Sequence, residues 1–125
     1  MANPNIVNVT TIYGNSSSTS LTTTSATSLV SNAAASGKVF KINLIVAANV
    51  DGTSAADITI NVYSQAALGG TAYPIASTIS VPADATLIIT DKTTSFYLLE
   101  NQSIGATAGS ASDLVVTASW EEINS

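Results

Sequence analysis

Between Lys38 and Ser64 apolar and polar residues alternate with a period of two. Phe40, Ile42, Leu44, Val46, Ala48 and Val50 take every second position, with Lys41, Asn43, Ile45, Ala47 and Asn49 between them. After the link Asp51-Gly52-Thr53-Ser54 the pattern resumes, with Ile58, Ile60 and Val62 set against Thr59, Asn61 and Tyr63. Successive side chains of an extended strand point to opposite faces, so each segment has an apolar face and a more polar one. The turn-rich link predicts that the two segments fold back on each other as a hairpin.

The same punctuation runs through the rest of the chain. Asn5 to Tyr13 is rich in β-branched residues and reads as a strand closed by Gly14-Asn15-Ser16. From Ser16 to Ser28, 11 of 13 residues are Ser or Thr, anchored by Leu21 and by Leu29-Val30 just beyond. Composition alone suggests a linker, but Thr favours strands, so this stretch reads as a strand or extended arm exposed at a sheet edge. Ser31 to Gly37 is the one place where a helical turn is expected, with three alanines and Gly37 as its cap. Tyr73–Val81, Ala85–Thr90, Ser95–Glu100, Ser103–Ala108 and Asp113–Ile123 complete the strands, the last with Leu114, Val116, Ala118 and Trp120 on one face. Short strands about every ten residues, separated by turns, predict an all-β protein: a single antiparallel β-sandwich of eight to nine strands, jelly-roll-like. One domain spans residues 1–125, with 1–30 as an N-terminal strand or extended arm. Strand count and alternation are shared by jelly-roll and immunoglobulin-like orders.

Composition narrows the function. The chain has no cysteine and no histidine, and its three basic residues are Lys38, Lys41 and Lys92. Disulfides and thiolate metal sites are therefore excluded, and the commonest general base is missing. Eight acidic residues give a net charge of −5. Three lysines cannot build the basic face that nucleic acid or an anionic membrane needs. Only 9% of residues are charged, whereas Ser and Thr number 35 of 125. Such a neutral, hydroxyl-rich surface suits a chain made to contact other subunits, and equally a secreted protein or one of an acidic medium. Met1-Ala-Asn-Pro-Asn has neither the basic nor the apolar part of a signal peptide, and no stretch is apolar for long enough to span a bilayer.

The residues that would carry chemistry are few. Glu121 and Glu122 are consecutive on a strand and point apart, so they cannot act as a glycosidase pair. Asp51, Asp84, Asp91 and Asp113 fall in turns, where Asp bonds nearby backbone N–H groups. Asp51, Thr53 and Asp57 offer hard oxygens for calcium but match no EF-hand spacing, and Ala55-Ala56 stand where ligands would be expected. Serines lack a histidine partner, and Lys41 sits on the polar side of its strand. No cofactor is expected. Phe40, Phe96 and Trp120 fall on apolar positions and read as core; Tyr63 and Tyr97 read as exposed. A carbohydrate-binding module would need Tyr63, Tyr73 and Tyr97 to cluster.

Three phrases carry a family resemblance. They are Val81-Pro-Ala-Asp-Ala-Thr-Leu87, Tyr97-Leu-Leu-Glu-Asn-Gln-Ser-Ile104, and Leu114-Val-Val-Thr-Ala-Ser-Trp-Glu-Glu-Ile123. Together with the opening Asn3-Pro-Asn-Ile-Val-Asn-Val-Thr-Thr-Ile-Tyr-Gly14, the chain resembles small β-sandwich virion structural proteins of tailed bacteriophages, especially cyanophages. Where that family more often has Gly-Asp after the Glu, this chain has Asn101-Gln102. The resemblance implies no catalytic residues. It implies a capsid decoration or cement protein, made in the host cytoplasm and seated on the outer head surface. Its partner would be the major capsid protein, and a homotrimer is favoured. The expected contact residues are Asn3, Ile6, Val7, Val9, Ile12 and Tyr13. Two alternatives stay open: a tail, neck or fibre-associated structural protein, and a carbohydrate-binding sandwich for host attachment.

Overall fold

A computed structural model describes residues 4–124. Among the described residues nine strands run β1 (Thr11–Ser20), β2 (Thr27–Asn32), β3 (Lys38–Asn49), β4 (Ala56–Gln65), β5 (Gly69–Val81), β6 (Thr86–Thr90), β7 (Phe96–Leu98), β8 (Gln102–Ala108) and β9 (Leu114–Asn124). One sheet has the order β1-β9-β3-β6, with β7 also paired to β3; the other has the order β2-β8-β4-β5. Every pair is antiparallel. We call the first sheet A and the second sheet B. β6 and β7 lie end to end along β3, separated by a short 3-10 turn at Lys92–Thr94, and together fill one strand position. Counted so, the sandwich has eight positions in jelly-roll order, which decides between the two orders left open by the pattern.

The expected hairpin does not form. β3 lies in sheet A and β4 in sheet B, so the link at residues 50–55 carries the chain from one sheet to the other. Two segments with one apolar face each can bury those faces by stacking across a core as well as by pairing edge to edge. Here they stack.

The alternation along β3 also breaks. Phe40 and Ile42 are buried as expected, but from there the buried residues are Ile45, Ala47 and Asn49, while Leu44, Val46 and Ala48 are half-exposed. The pairing with β9 moves from Ile42–Trp120 to Leu44–Ser119, so Asn43 is the extra residue of a β-bulge. One inserted residue exchanges the two faces of all that follows. Leu44 to Ala48 is apolar on both parities, so the pattern there is compatible with either face.

Other boundaries shift. The N-terminal strand starts at Thr11 rather than Asn5, runs through Gly14 and includes Ser16 to Ser20. The Ser/Thr stretch expected as one strand or arm is divided: Ser16 to Ser20 complete the edge strand β1, residues 21–26 cross between the sheets, and Thr27 and Ser28 open β2. The helical turn expected at Ser31–Gly37 is a tight connection instead, with Ser36 N donating to Ala33 O and with Ala35 and Gly37 at positive φ.

The core lies between the sheets. Ile42, Ile45, Ile58, Ile60, Leu98, Ile104 and Leu114 are wholly buried, and Leu21 plugs the end of β1. Phe40 stacks on Trp120 with ring centroids 6.5 Å apart. Phe40 is buried, while Phe96 and Trp120 are half-buried against the core. Two buried asparagines pin places where the chain changes sheet. Asn32 donates to the carbonyls of Lys38 and Leu98 (2.9 and 3.2 Å), and Asn49 donates to those of Ser54 and Val81 (both 2.9 Å). A buried amide side chain must find partners inside the protein, and these backbone carbonyls supply them.

Candidate interaction surface

The expected contact residues divide into two groups, and Asn3 lies outside the described residues. Residues 4–10 form turns before β1. Asn5 closes one of them, accepting at Oδ1 from Val7 N (2.9 Å) and at its carbonyl from Asn8 N (3.2 Å). Thr10 N then reaches Asn124 O at 2.7 Å, which leads the segment into the sheet. Pro4 and Ile6 line a cavity of about 180 Å³ together with Val39, Tyr97 and Leu99. Val39 is buried although Phe40, next to it, points into the core, so the segment covers an apolar spot on the outer face of sheet A.

Ile6 remains 50% exposed and Val7 92% exposed, and Val9 is half-buried. Ile12 and Tyr13 are also exposed, but they are consecutive on β1 and point to opposite faces. Ile12 lies opposite Ile123, and Tyr13 opposite Glu122. The five described residues therefore do not make one patch. Ile6 and Ile12 belong to the outer side of sheet A, while Tyr13 hangs beyond the core.

A second concavity, of about 520 Å³, opens on sheet A beside the β3 bulge. Asn43, Asp91, Lys92, Thr93, Ser119 and Glu121 line it. Its carboxylates are engaged locally. Glu121 accepts from Asn43 Nδ2 (3.1 Å), and Asp91 Oδ1 accepts from Thr93 N (3.0 Å) and Thr93 Oγ1 (2.6 Å). The Thr93 hydroxyl, then the Thr93 amide, hold the Asp91 carboxyl below the ordinary aspartate range. Asp51 repeats the device: the Thr53 amide and then its hydroxyl lower the Asp51 carboxyl. The Asp51 oxygen that could have served calcium thus closes a turn. Among the described residues no group of three or more acidic side chains converges.

The tyrosines are dispersed. Tyr63, expected to be exposed, is 9% exposed. Tyr73 pairs with Val62 across β4 and β5, and Tyr63 with Ala72, so Tyr63 and Tyr73 occupy opposite faces of sheet B. Tyr97 belongs to sheet A, opposite Lys41. Alternation alone misplaced Tyr63 because the β4–β5 connection folds back over it. A Cβ on Gly105 would lie 3.0 Å from the Tyr63 ring and 2.7 Å from Leu68, so ring and leucine rest on bare backbone. Ser103, wholly buried, takes a bond from Leu68 N (2.9 Å) and gives one to Gln65 O (2.8 Å). Asn101 Oδ1 takes one from Ala66 N (3.1 Å). Asn101 has φ +58°, a left-handed conformation that Asn tolerates better than most residues. The Tyr97–Ile104 phrase therefore holds a loop in place.

No known protein family matches the chain, and no curated protein matches it. Among solved structures, the chain is similar to a protein of Bacillus endospore appendages, pili described as disulfide-linked. The likeness covers 92% of this chain and 90% of that one at 17% identity, with a TM-score of 0.52. At that identity it speaks to the fold. This chain has no cysteine with which to form a disulfide.

Proposed function

We propose that the chain is a non-enzymatic structural subunit that works by docking onto other proteins of a particle. Its specific role, on this reading, is that of a decoration protein on the outer head surface of a tailed bacteriophage. The observation that carries the proposal is the N-terminal segment. Val7 is 92% exposed and Ile6 50% exposed on a segment anchored against sheet A. Exposed apolar residues held on a fixed base suit a contact with another subunit. The lack of histidine and cysteine, and the local engagement of Asp51, Asp91 and Glu121, support a role without catalysis. Contact with neighbouring capsid subunits would stabilise the shell by mass action, since a protein that binds only the assembled form favours it.

The test is co-sedimentation with heads assembled from the major capsid protein. Val7→Asp is expected to abolish binding while leaving the thermal unfolding curve of the free protein unchanged. Binding that survives Val7→Asp and Ile6→Asp together overturns the proposal.

A second reading, a tail, neck or fibre subunit, is supported by the uncharged outer edge of β1 and by the fold likeness to a pilus protein. Filaments or rings of the purified chain in electron micrographs would favour it over decoration.

A further inference from the structure

A sandwich of open sheets has edges, and an edge strand presents unpaired N–H and C=O groups that can template another strand. Natural edges are blunted by shortness, charge, proline or bulges. Three of the four edges here are blunted. β2 has six residues and a register shift, and β6 and β7 have five and three. β5 is long but carries Pro74, several register shifts and Thr78 at φ +49°.

β1 has none of these devices. It is ten residues long and pairs with β9 through ten consecutive positions without a shift. Thr11 to Ser20 contains no charge and no proline. No β1 residue is buried. Its inner edge is occupied by β9, so the backbone groups of every second residue face outward.

We propose that β1 is a self-association edge: two copies of this chain pair through it, antiparallel about a two-fold axis near Asn15 and Ser16, and join their A sheets. The occupant follows from charge and shape. Each copy carries −5, so another copy is repelled wherever acids cluster. Along β1 the nearest carboxylates are committed: Glu122 accepts from Asn15 Nδ2 (2.8 Å) and pairs with Lys38 Nζ (3.4 Å), and Glu121 accepts from Asn43. An antiparallel strand is its own complement under a two-fold rotation, which makes the contact isologous and closed. Ser16 and Ser18 already meet Ser119 and Thr117 at 3.2 and 2.9 Å on the β9 side. Their small hydroxyls offer the same cross-strand pairing to a second copy without steric conflict. One strand edge buries less than a standard interface, so the dimer is concentration-dependent rather than obligate. The inference goes beyond the decoration reading and does not depend on it.

The experiment is light scattering after size exclusion over a concentration series, on the full chain and on two variants, Ser16→Pro and Ser17→Pro. Adjacent residues send their N–H groups to opposite sides of the strand, so one proline removes a bond to β9 and the other only blanks the free edge. Circular dichroism and the melting temperature identify the tolerated one. The wild type is expected to rise from 12.6 kDa toward twice that mass, while the tolerated proline variant stays at 12.6 kDa. If neither proline variant folds, Ser16→Lys at this exposed position serves instead. Like charges facing each other at the axis should weaken the dimer up to about fivefold at low salt. A wild type that stays monomeric to about 1 mM overturns the proposal, because a Kd above that is a very weak contact. So does a trimer, which a two-fold contact cannot build, or a dimer that persists in the folded variant.

Discussion

The outer faces of the two sheets are made of the same kinds of residue and finished in opposite ways. On sheet B the β4–β5 connection folds down as a roof: Leu68 and Tyr63 rest on Gly105, and the Ser103 hydroxyl bonds Leu68 N and Gln65 O. On sheet A, beside β1, hydroxyl and aliphatic side chains run across the strands in the open, as in Ser16–Ser119–Leu44 and Ser18–Thr117–Val46. Ser103 is wholly buried, whereas Ser18 is exposed. The residue type is the same and the physical role is not. A buried hydroxyl replaces water for groups that have no other partner, while an exposed one competes with water for each bond it makes.

The largest effect should come from forcing the roof off sheet B. Gly105→Ala places a Cβ 2.7 Å from Leu68, 3.0 Å from Tyr63 and 3.3 Å from the Thr27 carbonyl. Leu68 can move, but the backbone oxygen cannot move as freely. We expect a loss of about 1–3 kcal/mol in urea unfolding, the usual range for overpacking. Unchanged stability would mean that the roof lifts at no cost. Ser103→Ala keeps the space and deletes the bonds. It should cost about 1–2 kcal/mol by leaving Leu68 N and Gln65 O without their partner. Faster hydrogen exchange at the Leu68 amide would report the same loss locally, and unchanged exchange would show that water takes over the bond.

The sandwich itself was legible in the sequence because period-two patterning separates the faces of β4 and β9 with little ambiguity. Leu114, Val116 and Ala118 are buried as the pattern requires. It failed where the chemistry was indifferent. Leu44 to Ala48 is apolar at every position, so the bulge at Asn43 could reverse the faces of β3 without contradicting the pattern. Pairing of β3 with β4 was inferred from a local turn signal, yet the partners of a jelly-roll strand are distant in sequence: β3 pairs β9, β6 and β7. Tyr63 read as exposed because its cover comes from a loop with no hydrophobic periodicity, residues 66–68. The signal that could have found it was Gly105 within an otherwise regular strand, which marks a close approach. In the candidate contact surface, Ile6 and Val7 lie in a turn ahead of β1 and not on the strand that the β-branched run from Asn5 predicts. The separation of Ile12 from Tyr13 follows from strand geometry once the strand is placed.

On the open side the same deletions should matter little to stability. Ser18→Ala and Thr117→Val each remove half of a 2.9 Å hydroxyl pair on the exposed face of sheet A. We expect each to change unfolding free energy by less than about 0.5 kcal/mol, as surface substitutions generally do. A loss equal to that of Ser103→Ala would erase the distinction between roofed and open hydroxyls.

The smallest expected effect is a pH dependence at the exposed rim of sheet A. Asp91 accepts from the Thr93 hydroxyl and amide, which favours its ionised form and lowers its pKa in the folded chain. A carboxyl depressed on folding adds stability above its unfolded pKa, and that contribution disappears as pH falls through the lower folded value. The window therefore lies below about pH 4. Melting temperatures across that window should fall less steeply for Asp91→Asn than for the wild type, because the amide still accepts from Thr93 but does not titrate. At neutral pH the variant should melt slightly lower, since a neutral acceptor makes a weaker bond than a carboxylate. Parallel acid profiles for the two proteins would mean that the Thr93 bonds do not discriminate between the charged and neutral carboxyl. Those bonds would then hold the turn equally in either state, beside the backbone bond from Thr94 N to Asp91 O at 3.1 Å and the bond from Asp91 N to the Thr94 hydroxyl at 3.2 Å.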